Sequence, residues 1–167
     1  MTLEQLNALD HAPFVATLGA IYEHSPWVAA EVWPLRPFAS LDELHAAMSK
    51  SVVDAGEAAQ LTLLRAHPQL AGKAALRGEL TVDSTREQQG AGLDQCSPDE
   101  YARLHALNAQ YEQRFGFPFI LAVRGHTRTS ILASLAARID NTREDEFAEA
   151  LHQVDRIARF RLEALLA

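Results

Sequence analysis

Helix starts recur along this chain, and they constrain its fold more than any other feature. A Ser or Thr oxygen just before a helix accepts an N–H that the first turn leaves unbonded, and a polar side chain three residues on returns the bond. Thr2 with Gln5, Ser40 with Glu43, Ser84 with Glu87 and Thr142 with Asp145 all have this spacing. Ser25-Pro26 and Ser97-Pro98-Asp99-Glu100 add proline at the first helical position, the second with acidic residues facing the helix dipole. Between these starts, apolar residues repeat at helical spacing. They predict helices over 3–9, 13–23, from 26, 40–53, 57–66, 84–90, 97–115, 129–139 and 142–166. The connector 70–83 has room for one more turn at 74–77. Only 117–123 has strand composition, and Leu80-Thr81-Val82 is its one candidate partner. The expectation is an all-α fold: a compact single-domain bundle of seven to nine helices spanning residues 1–167.

A chain of 167 residues, 48% apolar, can bury a real core. Its formal charge of -7 argues against a general nucleic-acid or anionic-membrane surface. The single cysteine, Cys96, excludes an internal disulfide and any cysteine-rich zinc site, and fits a reducing compartment. No basic-then-apolar leader opens the sequence, and the longest apolar run, 117–123, is far too short to span a bilayer. A cytoplasmic protein is expected.

Four places carry possible chemistry. His67 stands before Pro68, which biases it out of the preceding helix. It is either a polar residue at a helix end, favoured there by the dipole, or a general acid or base. The Ser84 to Gln88 stretch (Ser84, Thr85, Arg86, Glu87, Gln88) is either a capping box or a helix start whose N–H groups and side chains bind an oxygen-rich ligand. Arg161 falls inside the apolar arc of the last helix, near Val154 and Ala158, so it requires an anion. That anion is an internal carboxylate or a substrate carboxylate or ureide group. The 117–123 run, buried without a sheet partner, must satisfy its backbone groups locally or through a ligand. The remaining histidines lack metal-binding spacing, and neither a phosphate loop nor a nucleophile elbow is present.

In order along the chain, these segments resemble the 2-oxo-4-hydroxy-4-carboxy-5-ureidoimidazoline (OHCU) decarboxylase family. The matching pieces are Tyr22-Glu23-His24-Ser25-Pro26-Trp27, Leu64-Arg65-Ala66-His67-Pro68-Gln69-Leu70-Ala71-Gly72, Ser84-Thr85-Arg86-Glu87-Gln88 with Ala91-Gly92-Leu93, Leu107-Asn108 through Tyr111, Phe115-Gly116-Phe117-Pro118-Phe119-Ile120, and Ile157-Ala158-Arg159-Phe160-Arg161-Leu162. The resemblance implies a homodimer that decarboxylates OHCU to (S)-allantoin in urate degradation, with no metal or organic cofactor. It implies His67 and Glu87 as the catalytic residues. It also places Pro68, Ser84, Thr85, Arg86, Gln88, Phe119, Ile120, Leu121, Ala122, Val123 and Arg161 against the substrate. The competing reading is a non-catalytic helical module that binds a small anion or a partner helix near Arg161, indifferent to His67 and Glu87.

Overall fold

The computed structural model describes all of residues 1–167, and every regular element in it is helical. The α-helices are α1 (Leu3–Asn7), α2 (His11–Leu18), α3 (Trp27–Val32), α4 (Leu41–Asp54), α5 (Glu57–Ala66), α6 (Lys73–Leu76), α7 (Val82–Gly90), α8 (Pro98–Phe115), α9 (Arg128–Arg138) and α10 (Arg143–Leu165). The count of ten exceeds the expected seven to nine because the turn in the 70–83 connector forms a helix of its own, α6. The chain divides into two compact units, Met1–Ala66 with Val154–Ala167, and His67–Gln153.

In the first unit, Ser40 caps α4 as its spacing predicts, its Oγ accepting from Glu43 N at 3.1 Å. Leu44, Met48 and Val52 then point inward together, as do Phe14 and Leu18 of α2 and Val28, Ala29 and Val32 of α3. Burying each large apolar side chain contributes about 1.5–3 kcal/mol. The second helix stops at Leu18 rather than continuing to Glu23. Gly19 is packed so closely there that a Cβ would stand 2.7 Å from the Val15 carbonyl oxygen. The following turn, with His24 at φ +49°, carries Tyr22, Glu23 and Ser25 into the interior. Ser25 does not cap α3. Its hydroxyl donates instead to the Glu23 carbonyl at 2.9 Å, and Pro26 takes the position before the helix.

The second unit is built on α8. Both bonds of the Ser97–Glu100 capping box form, and Gly116 ends the helix at φ +79°, the left-handed conformation that glycine adopts without steric cost. Leu104, Asn108, Tyr111 and Phe115 make its buried stripe. The next helix, α9, starts one residue before the expected Thr129, because Thr127 forms a capping box with Ser130.

No strand forms. Residues 118–123 are irregular, and neither they nor Leu80-Thr81-Val82 enter a ladder. Side chains supply the bonds that a sheet would have given. Gln153 Oε1 accepts from Ala122 N at 3.0 Å, and Arg138 Nη1 donates to the Ile120 carbonyl at 2.7 Å. Arg138 is itself held by Glu146, to which its Nε donates at 2.6 Å, and its guanidinium stacks 4.5 Å from the Phe119 ring. Tyr111 donates to the same carboxylate, so burial and that neighbouring charge push its phenol well above the usual range. The run is buried because its backbone is satisfied from the side.

Candidate active site

The second unit brings the His67 turn and the α7 helix together. After α5 ends at Ala66, His67 is 8% exposed, Pro68 is half-buried, and the chain folds into a tight turn through Gly72. Gly72 N donates to the Gln69 carbonyl at 3.3 Å, and Ala71 sits at φ +51°. Beside that turn lies α7, which reaches it through Gln88. Its cap is Thr81, not Ser84: Thr81 Oγ1 accepts from Ser84 N at 3.2 Å, and the helix begins at Val82. The Ser84–Glu87 capping box therefore does not form. Its spacing is met equally by the Thr81–Ser84 pair one turn earlier, and the extended Thr81 backbone decides between them. The shift removes the competition for Glu87, whose carboxylate sits in the second turn and not at the cap.

Once α7 begins at Val82, the faces of its polar residues follow. Ser84 and Gln88, four apart, share the buried side. Glu87 is half-buried next to them, three residues from Ser84. Thr85 is half-buried and lines a cavity of about 450 Å³ with Ala71, Leu80, Gln88, Leu93 and Tyr101; neither His67 nor Glu87 lines that space. Arg86 is exposed. Of the five residues from Ser84 to Gln88, the fold thus buries Ser84 and Gln88, leaves Thr85 and Glu87 half-buried and puts Arg86 on the outer face.

Gln88 joins the two pieces. Its Oε1 accepts from Ala71 N at 2.9 Å, and its Nε2 donates to the Gln69 carbonyl at 3.5 Å. From α8, Asn108 Nδ2 donates to the Leu70 carbonyl at 3.0 Å. The backbone that follows His67 and the helix that bears Glu87 thereby share a side-chain clamp.

Phe119, Ile120, Leu121, Ala122 and Val123 are all buried in the same unit, on the backbone fixed by Arg138 and Gln153. Arg161 belongs to the first unit and is 6% exposed. Its Nη1 donates to Glu23 Oε2 at 2.8 Å and to the Ala20 carbonyl at 3.0 Å. The internal carboxylate is therefore present. It comes from the turn that replaces the last part of the expected second helix.

Three polar residues now prominent were not singled out from the sequence: Asn108, Arg138 and Glu23. A signal existed for two of them. Arg138 follows Ile131, Leu132 and Leu135 on one helical face, and Asn108 lies on the stripe of Leu104, Tyr111 and Phe115. The same reasoning that marks Arg161 applies to both: a polar group in an apolar arc needs a partner. Glu23 had no such signal, since its helix was expected to continue.

A family model described as OHCU decarboxylase matches residues 7–163. The chain is 45% identical over 165 residues to a 2-oxo-4-hydroxy-4-carboxy-5-ureidoimidazoline decarboxylase of Halalkalicoccus jeotgali, covering 99% of this chain and 92% of the relative. A protein of the same description from Haloferax volcanii is 46% identical over 162 residues, covering 97% and 94%. Among solved structures, an (S)-allantoin synthase superimposes with a TM-score of 0.81 at 33% identity, over 99% of this chain and 54% of that one.

Proposed function

This chain belongs to the OHCU decarboxylase family, and we infer that it is the carboxy-lyase that turns OHCU into (S)-allantoin and CO2 in urate degradation. The observation that carries this reading is the family match from residue 7 to 163. That span takes in both units and supports treating the whole chain as one functional domain. The site residues are our assignment, supported by the way Gln88 couples the His67 turn to the helix bearing Glu87.

The substrate carries a carboxylate and a hydroxyl on one ring carbon, beside ring nitrogens that accept charge. His67 takes the hydroxyl proton as the bond to the carboxylate carbon breaks. The bonding pair moves into the adjacent ring system, leaving CO2 and an ene-like intermediate. Glu87 governs the proton that returns to one face of that intermediate, which yields a single enantiomer. Since the electron sink is part of the substrate, positioning and proton transfer are the protein's contribution. Pro68, Ser84, Thr85 and Gln88, with the 119–123 backbone, orient the ring and ureido arm from the second unit; Arg86 lies on the outer face of α7, and Arg161 is bound to Glu23 within the first unit. Generating OHCU in situ and following (S)-allantoin by circular dichroism tests this directly. The protein should give product faster and more enantiopure than buffer does; equal rate and optical purity would refute the reading.

The family resemblance also supports a homodimer, tested by sedimentation. The single cysteine supports a reducing, cytoplasmic setting, tested by cell fractionation. No helix is long and apolar enough to cross a membrane.

A further inference from the structure

The turn that carries His67 has one hydrogen bond of its own, from Gly72 N to the Gln69 carbonyl, and otherwise leans on side chains from α7 and α8. Ala71 at φ +51° is in a region that a Cβ disfavours, so unaided it would relax toward an ordinary conformation. Its peptide groups are buried, and three successive residues depend on side chains from elsewhere in the second unit. The Gln69 carbonyl and the Ala71 N–H go to Gln88, and the Leu70 carbonyl goes to Asn108 at 3.0 Å. Asn108 is 3% exposed on a stripe otherwise made of Leu104, Tyr111 and Phe115. Its Oδ1 is buried and makes no hydrogen bond within the protein, so the amide acts on the turn through Nδ2 alone.

We propose that Asn108 is a positioning residue for decarboxylation: by holding the Leu70 carbonyl it keeps the 67–72 turn in its left-handed form and so sets the place of the His67 imidazole. The inference rests on the reading of His67 as the acid–base group. Asn108 does not touch the reacting atoms in this scheme. Gln88 and Asn108 grip the N–H and the C=O of the Leu70–Ala71 peptide from different helices, α7 and α8, so loss of either frees the turn on one side. Displacement by about 1 Å is enough to lower a rate by roughly 10²-fold where catalysis depends on alignment.

The test is Asn108→Leu in the full-length enzyme, which removes the donor and keeps most of the volume. The expected result is a kcat lowered about 10- to 100-fold with KM changed less than about threefold, and amide exchange at Ala71 faster while the α8 amides stay protected. Glycine adopts the left-handed conformation without steric cost. Adding Ala71→Gly to Asn108→Leu should therefore raise kcat again by about threefold or more, a recovery that lost core packing alone would not produce. Should Asn108→Leu prove insoluble, Asn108→Met gives the same measurements with a side chain that adapts to irregular space. A soluble variant with the parent's kcat per folded molecule, or slow Ala71 exchange alongside lost activity, overturns the proposal. His67→Gln runs in parallel. If it is inactive while Asn108→Leu is as fast as the parent, only this inference fails; if His67→Gln is itself as fast as the parent, the catalytic reading fails and this inference with it.

Discussion

The two units each hold one buried anchor by a different chemistry. In the second, the turn bearing His67 is gripped by two neutral carboxamides, Gln88 and Asn108. In the first, Arg161 is held by the carboxylate of Glu23, and Asp155 gathers His45, Ser49 and Tyr22. Neutral amides fix a backbone without adding charge beside the imidazole and without responding to pH. Ionic partners hold more strongly but make each anchor dependent on its counter-charge. Within the second unit, the 118–123 segment uses both chemistries, held by the Gln153 amide and by Arg138, which is backed by Glu146.

The difference is broken most sharply at the imidazole itself. His67→Gln should lower kcat by 10²-fold or more, the usual contribution of a positioned acid–base group, while leaving the stability of the first unit's ion pairs untouched. Steady-state turnover of OHCU checks this, and a loss under about tenfold would take His67 out of the mechanism. Next in size is the ionic anchor. Glu23→Ala leaves a buried guanidinium without its carboxylate, and removing one member of such a pair costs about 3–5 kcal/mol. Urea denaturation reads that loss, and a cost below about 1 kcal/mol, as for a surface pair, would show that the anchor is solvated.

A smaller effect separates the two possible caps of α7. Thr81→Ala should cost about 1 kcal/mol of stability, the typical worth of an N-cap, whereas Ser84→Ala should not show a cap's loss of helicity. Circular dichroism of the two variants decides it. Reversed results would restore the Ser84–Glu87 box.

The smallest effect is the pH response of the Asp155 cluster. The hydrogen bond to Asp155 raises the His45 imidazole above its ordinary 6.5, against the opposing effect of burial and of Arg159. Burial pushes the Asp155 carboxyl up, but hydrogen bonds from His45, Ser49 and Tyr22, with the His45 charge, outweigh it and hold it below its ordinary 3.8. A raised histidine stabilises the fold below 6.5 and loses that contribution as pH rises through its folded value. A lowered aspartate stabilises above 3.8 and loses it as pH falls through its folded value. The cluster therefore contributes most between those limits, and it faces Arg159 and Tyr22 as its other ionisable neighbours. Both groups are partly solvated, so the effect belongs in the range of about 0–1 kcal/mol. Melting curves of His45→Gln and the parent should differ most near pH 5 to 6 (roughly, between the two ordinary values) and converge at pH 8 or so (~8). An offset that does not vary with pH would assign His45 a packing role.

The sequence by itself determined the all-helical class and most helix starts. A cap joins residues three apart, so Thr2, Ser40, Ser97 and Thr142 meet their partners wherever the rest of the chain goes. His67, with the proline behind it, and Arg161, in its apolar arc, were visible for the same local reason. Even local signals failed where two competed, as at Thr81 and Ser84, or where a turn replaced a helix, as at Gly19 to Ser25. What only the tertiary structure decided is which distant group satisfies each buried polar atom. Ala71 meets Gln88 across 17 positions, Leu70 meets Asn108 across 38, and Glu23 meets Arg161 across 138. Such pairings follow from how helices pack, and the periodicity of a single helix carries only the requirement that a partner exist.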